Sequence, residues 1–388
     1  MSQKRVRMGM VGGGPDAFIG NIHRMASRLD DQIELVCGAF SRDPQKSKQA
    51  GLALHLPESR CYESYQAMMD AESQLPEDER MEFVAIVTPN STHFPVASLA
   101  LSKGFHVMCD KPATFDLAES VELKKQVAET GLLFGLTHTY TGYPIVKEAR
   151  ERVLRGDLGK ITKVVAEYNQ GWLAAKMNSD EGKQAAWRLD PELAGASCCM
   201  GDIGVHAANL AEFISNESIT EVLAELNSVE EGRKLDDDGA ALLRFGNGAK
   251  GVLFASQISV GEENNLRVRI YGTKGGLEWH QQEPNTLHLK WGDKPEEIIR
   301  AGFDYLSETA QANSRTPAGH PEGYIEAFAN LYRNFAVAIQ NNRGSAAAPG
   351  IKAIANVPGI EEAVAGMAFI EAVVKSSNEN GTWVSIDH

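Results

Sequence analysis

Two groups of residues in this sequence have the types and spacing for proton chemistry. Asp110-Lys111-Pro112 follows a short apolar run, Phe105–Cys109, and so stands at the carboxyl end of an expected strand. A lysine there, partly desolvated beside a bound ligand, can have its pKa drawn down from about 10.4 toward neutrality. It can then polarise or deprotonate a substrate hydroxyl. Asp202 and His206 stand four residues apart where a helix is expected to open, so they share one helical face. A carboxylate so placed can fix the tautomer of an imidazole and stabilise its charged form, which suits a general base. Each group has a plainer explanation when taken singly. A Lys-Pro pair is usually just a turn, and an i,i+4 Asp/His pair is usually a surface pair or a cap. No third ligand accompanies Asp202 and His206, so no metal site is read.

A third group points to a nucleotide. Val6–Val11 is a short apolar run that ends in Gly12-Gly13-Gly14. Glycines between a first strand and a helix let the backbone approach a pyrophosphate, and the free N–H groups of the helix start face the anion. Two alignments stand. Gly12-Gly13-Gly14-Pro15-Asp16-Ala17 fits G-x-G-x-x-A literally, and the other puts the third glycine at Gly20 with a longer loop. Gly20 is preferred, because Asn21-Ile22-His23 continues as a helix whereas Pro15-Asp16 reads as a turn. A glycine turn without a ligand is the plainer alternative. Its position after the first strand of a βαβ pattern favours the nucleotide.

The cofactor type turns on the end of the second strand, where an acid bonds the ribose hydroxyls of NAD. That place holds Ser41-Arg42, with Lys46 one helical turn after Arg42. A hydroxyl and a guanidinium suit a 2′-phosphate, so NADP is favoured and NAD is possible. The competing reading makes Arg42 a solvated helix-start residue.

The elements that must position these groups follow from hydrophobic patterning. Short unbroken apolar runs (Val6–Val11, Ile33–Phe40, Phe83–Thr88, Phe105–Cys109, Leu132–Thr137) alternate with helical segments such as Ile22–Leu29, Phe94–Ser102 and Leu117–Glu129. Asp43-Pro44 offers an N-cap followed by proline at the first helical position. The pattern predicts an α/β domain over 1–140, a doubly wound parallel sheet that binds ligands at its carboxyl strand ends. After Gly142-Tyr143-Pro144 the pattern changes. A helix (Ile145–Arg155) leads into an alternating strand (Lys160–Gln170), and further strands over 219–300 are joined by short turns such as Phe245–Gly248 and Lys274–Gly276. With helices at Ile203–Ile214, Tyr324–Gln340 and Ile360–Val374, residues 141–388 read as an α+β domain with a large, mostly antiparallel sheet.

Composition narrows the function classes. The 388 residues are 43% hydrophobic and 23% charged, which suits two folded domains and argues against disorder. A formal charge of −14 gives no overall field for nucleic acid or an anionic membrane. No apolar run approaches the roughly 18 residues of a membrane span. The Lys4, Arg5 and Arg7 region does not read as a signal peptide. Five cysteines, none in a C-x-x-C pair, suggest neither disulfides nor zinc, and a cytoplasmic location is expected. Cys198-Cys199 is read as a buried small pair without a redox role.

Together these pieces resemble the Gfo/Idh/MocA family of oxidoreductases across essentially the whole chain. The motifs are Gly12-Gly13-Gly14 with Gly20 and His23; Thr88-Pro89-Asn90 with His93; Gly104–Val107 running into Asp110-Lys111-Pro112; Trp187-Arg188; and Asp202 through His206. The resemblance implies hydride transfer between NAD(P) and a secondary alcohol of a sugar, glycoside or cyclitol. It implies that Lys111 contacts the reacting hydroxyl, that His206 is its acid/base and that Asp202 orients substrate and histidine. Thr88, Pro89, Asn90 and His93 match the segment lining the cofactor beside the nicotinamide, with Asp110 and Lys111 adjoining it. Trp172, Trp187, Arg188, His206 and His320 are the expected substrate contacts. Lys183, Tyr168, Asn169 and Gln170 are more simply solvated or core residues. Three departures stand out: Asp110 replaces a glutamate, Ser41 replaces an acid, and Thr137-His138-Thr139-Tyr140 stands where many relatives carry arginines. The overall pattern is similar to members acting on glucosides. The resemblance also implies a homodimer or homotetramer paired through the second domain's sheet. Two rivals keep the fold. One is an NAD-dependent glycosidase that oxidises its substrate transiently; the other is a non-catalytic sensor, against which Lys111 and His206 both count.

Overall fold

The structure is a computed structural model and describes residues 4–14, 17–174, 188–230, 232–342 and 357–386. It divides into two compact units, Met1–Thr139 with Phe328–Val364 and Tyr140–Ala327 with Ala365–His388.

In the first unit, β1 (Val6–Gly12), β2 (Ile33–Ala39), β3 (Phe83–Val87), β4 (His106–Cys109) and β5 (Phe134–Leu136) form a parallel sheet in the order β2-β1-β3-β4-β5. Every residue of β3 is buried. A strand covered on both faces needs apolar side chains at each position, which is why these strands read as runs instead of alternations. The crossovers are α1 (Phe18–Arg28), α2 (Pro44–Ala53), α3 (Tyr65–Gln74), α4 (His93–Ser102) and α5 (Leu117–Thr130). Asp43 caps α2 as its sequence requires, accepting from the N–H groups of Gln45 and Lys46 at 2.9 and 3.1 Å. Helix α3 escaped the sequence reading because its buried face carries a carboxylate. Glu72 is fully buried, 2.6 Å from the Arg60 guanidinium and bonded by the Tyr62 hydroxyl and the Met81 N–H.

The sequence reading closes the first domain at 140 and assigns everything later to the second. The structure instead groups Phe328–Val364 with the first unit. Packing gives the reason. In α8 (Tyr324–Asn342) the Phe335 ring stands edge-on to Phe83 at 5.5 Å, and the Tyr332 hydroxyl bonds His23 Nδ1 at 2.6 Å. The Leu136 N–H donates to the Pro358 carbonyl at 2.7 Å.

The second unit is built on a nine-stranded sheet in the order β13-β12-β11-β10-β6-β9-β8-β7-β14. Its strands are β6 (Ile161–Asn169), β7 (Ile219–Asn227), β8 (Asp238–Phe245), β9 (Lys250–Ser256), β10 (Asn265–Gly272), β11 (Gly275–His280), β12 (Thr286–Trp291), β13 (Glu297–Arg300) and β14 (Val384–Ser385). All neighbours are antiparallel except β6 and β9. Burial alternates along β6, β8 and β10, as expected of a sheet with one covered face. Helix α7 (Val205–Ser215) packs on β6 and β10, and α6 (Pro144–Leu154) packs on α7. The outer face carries an ion-pair ladder: Glu278 accepts from both Arg267 and Lys290, and Glu167 from Arg269.

Candidate active site

The glycine turn after β1 is held by contacts that only glycine permits. Gly12 has φ +81°, and a Cβ there would lie 2.2 Å from the Val87 carbonyl oxygen. Helix α1 begins at Phe18, earlier than expected, which places Gly20 inside its first turn. A Cβ on Gly20 would sit 2.3 Å from the Gly13 Cα, so the third close-packing glycine is Gly20. Pro15 and Asp16 lie outside the described residues. Ala17 is the N-cap and supplies no side-chain bond. The opening N–H groups of α1 therefore stand beside the glycines with no cap from the Ala17 side chain, the arrangement that favours an anion. Thr88 borders this cradle, its Cγ2 being 2.7 Å from the position of a Gly12 Cβ. Its hydroxyl is buried without a hydrogen-bond partner among the described residues. A buried orphan hydroxyl and a cradle a methyl would fill both fit a bound dinucleotide. At the end of β2, Arg42 and Lys46 are exposed, and the Ser41 hydroxyl accepts from the Asp43 N–H at 3.1 Å.

The Asp110-Lys111-Pro112 turn leaves β4 with a cis Lys111–Pro112 peptide. Asp110 anchors it. Its Oδ1 accepts from the Lys111 N–H at 2.9 Å and from the Thr137 hydroxyl at 2.7 Å, and its Oδ2 lies 3.7 Å from His23 Nε2. Burial pushes this carboxyl up, but the His23 ring, the Thr137 hydroxyl and the Lys111 charge outweigh it and hold Asp110 below the usual carboxylate range. His93 ties the turn to the loop after β3. Its buried ring nitrogens lie 2.7 Å from the Pro112 carbonyl and 2.8 Å from the Thr88 carbonyl. Burial lowers its pKa, against the Asp110 charge and the two carbonyls, which raise it. His138, just past β5, is pushed down to about 3 by burial and then by the Lys111 charge. Lys111 thus has Asp110 and a neutral His138 within its field. Pro89 and Asn90 open the short turn that leads into α4.

In the second unit, Asp202 lies in a π-helical turn, Met200–Gly204, that runs into α7. Such turns widen a helix locally and recur at functional sites. Asp202 Oδ2 accepts from Gln257 Nε2 at 2.9 Å and lies 3.5 Å from Arg188 Nε. His206 is buried, with the Tyr140 ring edge-on at 5.0 Å and the Tyr168 ring at 6.4 Å. The two tyrosine hydroxyls bond each other, and the Tyr168 hydroxyl donates to Asn264 Oδ1 at 2.7 Å. Gln170 Nε2 donates to the same Asn264 oxygen at 2.7 Å, and Trp172 Nε1 donates to Gln170 Oε1 at 2.9 Å. Burial pushes both tyrosine hydroxyls up, so they stay protonated. Trp172 is exposed. His320 is exposed as well, its Nδ1 3.3 Å from the Pro317 carbonyl. Trp187 and Lys183 lie outside the described residues. Gln257, Tyr140 and Asn264 carry no local motif. Only the pairing of β6 with β10 across Asn169–Asn265 and with β9 across Asn169–Ser256 brings their neighbourhoods together.

No described helix is long and apolar enough to cross a membrane, and no group of three His, Cys, Asp or Glu among the described residues could hold a metal. A family model described as "Oxidoreductase family, NAD-binding Rossmann fold" matches residues 6–138, and one described as "GFO/IDH/MocA C-terminal domain" matches residues 146–278. The uncharacterized oxidoreductase YfiI of Bacillus subtilis is 33% identical over 392 residues, covering 98% of this chain and 97% of its own. The crystal structure of an inositol dehydrogenase homolog from Azotobacter vinelandii complexed with NAD+ is 33% identical, with a TM-score of 0.92 over 98% of this chain and 97% of that chain. Its complex with NADH and myo-inositol is 32% identical, with a TM-score of 0.90 over 98% of each chain. Levoglucosan dehydrogenase of Pseudarthrobacter phenanthrenivorans is 24% identical over 77% of this chain and 79% of its own length. With both halves matched and the fold shared end to end, the chain belongs to the GFO/IDH/MocA family of oxidoreductases, and its first unit is an NAD-binding Rossmann fold.

Proposed function

We propose that this protein is a nicotinamide-dependent dehydrogenase for a secondary alcohol of a sugar, glycoside or cyclitol. The observation that carries the reading is the anchored Asp110-Lys111-Pro112 turn, which holds an ammonium at a carboxyl strand end of an NAD-binding sheet. Bound nicotinamide supplies the hydride acceptor. Lys111 polarises the reacting hydroxyl, and His206 takes its proton. Asp202 orients the substrate and the histidine. Gly12, Gly13, Gly14 and Gly20 hold the pyrophosphate, while Thr88, Pro89, Asn90, His93 and Asp110 border the nicotinamide. Trp172, Trp187, Arg188 and His320 are assigned to the sugar. The relatives named for inositol and levoglucosan support the substrate class.

NADP is the favoured nicotinamide. Arg42 and Lys46 are exposed, no ion pair of the described residues uses either side chain, and Ser41 stands where an acid would meet the ribose, while Asp43 is engaged as the cap of α2. NAD is the second reading, favoured by the NAD+ complex of the inositol dehydrogenase homolog. A homodimer or homotetramer formed through the outer face of the nine-stranded sheet belongs to the same proposal. It is supported by Leu242, 46% exposed in the middle of β8. So does a cytoplasmic location, supported by five free cysteines.

The deciding experiment is nicotinamide reduction, with NAD+ and NADP+ in parallel, against a panel of inositols, sugars and glycosides. Lys111→Ala and His206→Ala are each expected to lower kcat by about 100-fold or more on any substrate turned over. Variants that keep wild-type rates would remove the site assignment. Glycone release without net cofactor reduction would transfer the case to the transient-oxidation glycosidase.

A further inference from the structure

We propose that Gln257 is a positioning residue for Asp202, and that the Cys198 thiol fixes which end of the Gln257 amide faces that carboxylate. This rests on the assignment of Asp202 to the reacting site.

Gln257 is fully buried just beyond β9. Its Nε2 donates to Asp202 Oδ2 at 2.9 Å, and its Oε1 accepts from Cys198 Sγ at 3.4 Å. The two ends of an amide differ: the NH2 only donates and the oxygen only accepts. A flipped amide would turn its oxygen toward the carboxylate, two acceptors facing each other in a buried setting. The thiol discriminates between the two orientations because it can donate to an oxygen. Burial, reinforced by the Asp202 and Asp236 charges, pushes the Cys198 thiol up, so it remains an S–H donor.

The three residues share one backbone frame. The Gln257 N–H donates to the Asp237 carbonyl at 2.9 Å, and the Asp202 N–H donates to the Cys198 carbonyl at 2.7 Å. The buried Asp236 carboxylate accepts from the Cys198 N–H, the Met200 N–H and the Ser197 hydroxyl, each at 2.9 Å. That carboxylate therefore sets the path of the chain into the π turn, while Gln257 sets the plane of the side chain that the turn presents. Arg188 approaches the same oxygen, Oδ2, at 3.5 Å. Gln257 supplies direction without adding charge, which a lysine or arginine in its place would not do. Cys198 thereby has a structural task that requires a donor of its size and no redox chemistry.

Crystal structures of the full chain as wild type, Gln257→Leu, Gln257→Glu, Cys198→Ser and Cys198→Val test this without any substrate. The Asp202 carboxylate is expected to reorient in Gln257→Leu and Cys198→Val, and to keep its orientation in Cys198→Ser, where a hydroxyl still donates. An unmoved Asp202 in Gln257→Leu overturns the proposal. Should Gln257→Leu fail to fold, Gln257→Glu, nearly isosteric and crystallised at alkaline pH so that both carboxyl groups are ionised, is expected to turn Asp202 away by like-charge repulsion, and an unmoved carboxylate there is equally fatal. Kinetics with NAD+ or NADP+ and a polyol that the wild type turns over add a second readout. Gln257→Leu is expected to lower kcat about 100-fold with KM for that nicotinamide unchanged, the signature of misplacement rather than lost cofactor binding. Gln257→Glu is expected to shift the acid limb of kcat/KM to higher pH. An unchanged kcat in Gln257→Leu also overturns the proposal. Failure of the wild type to oxidise any polyol would sink the dehydrogenase reading, and the crystallographic comparison would still decide the role of Gln257.

Discussion

Single residues around Lys111 show how the site uses its polar groups. Asp110 accepts hydrogen bonds from a backbone N–H and a hydroxyl and has an imidazole 3.7 Å away, so the strand end is held through this one carboxylate. The short aspartate side chain reaches both the Thr137 hydroxyl, at 2.7 Å, and the His23 ring, at 3.7 Å. The same scale governs cofactor choice. A guanidinium pairs a phosphate with charge-assisted bonds that a ribose hydroxyl cannot match. Arg42→Ala is therefore expected to raise the Kd for NADPH about tenfold while changing that for NADH less than twofold, as measured by fluorescence titration. Equal losses for both would withdraw the NADP assignment.

At the scale of elements, the packing of β1 and α1 depends on two glycines in contact. Gly13 and Gly20 touch so closely that a single methyl group must push the helix start away from the loop. Gly20→Ala is expected to destabilise the first unit by about 1–3 kcal/mol through overpacking. It should also displace the opening N–H groups of α1 and so weaken the thermal shift produced by NAD+ or NADP+. A Gly20→Ala variant that melts like the wild type and keeps its cofactor-induced shift would contradict this account. The π turn before α7 is the corresponding device in the second unit. It interrupts regular helical spacing at Met200–Gly204, and Asp236 holds its backbone from a neighbouring loop.

The whole molecule carries a pH dependence that follows from its buried histidines. Burial lowers the pKa of His93, brings His106 to about 4 and brings His138 to about 3. The unfolded chain protonates all three near 6.5. Below that pH the unfolded state binds more protons, so stability is full above the unfolded value and falls as pH drops. The slope is about 1.4 kcal/mol per pH unit for each histidine, continuing until its folded pKa is reached. Urea unfolding between pH 7 and pH 4.5 should show a steadily falling midpoint. In His106→Gln the slope should be reduced, because the amide does not titrate, while its oxygen can still accept the Leu133 N–H that His106 Nδ1 takes at 2.9 Å. A flat wild-type profile would refute the buried-neutral assignment.

Much of this protein is written locally. The unbroken apolar strands, the Asp43-Pro44 helix start, the glycine turn with Gly20 and the strand-end Lys111 are each announced by patterns a few residues long, because apolar runs, caps and turns have short-range sequence signatures. The turns after Phe245 and Lys274 were legible for the same reason. Helix α3 was not, since a buried Glu72 satisfied by Arg60 and Tyr62 removes the apolar periodicity that announces a helix. The partners of the site were not legible either. Gln257 meets Asp202 across 55 residues, Asn264 meets Tyr168 across 96, and Tyr332 meets His23 across 309. No periodicity encodes such pairs. They exist because helices, turns and strands distant in sequence pack together, and only that tertiary packing decides which buried donor finds which buried acceptor.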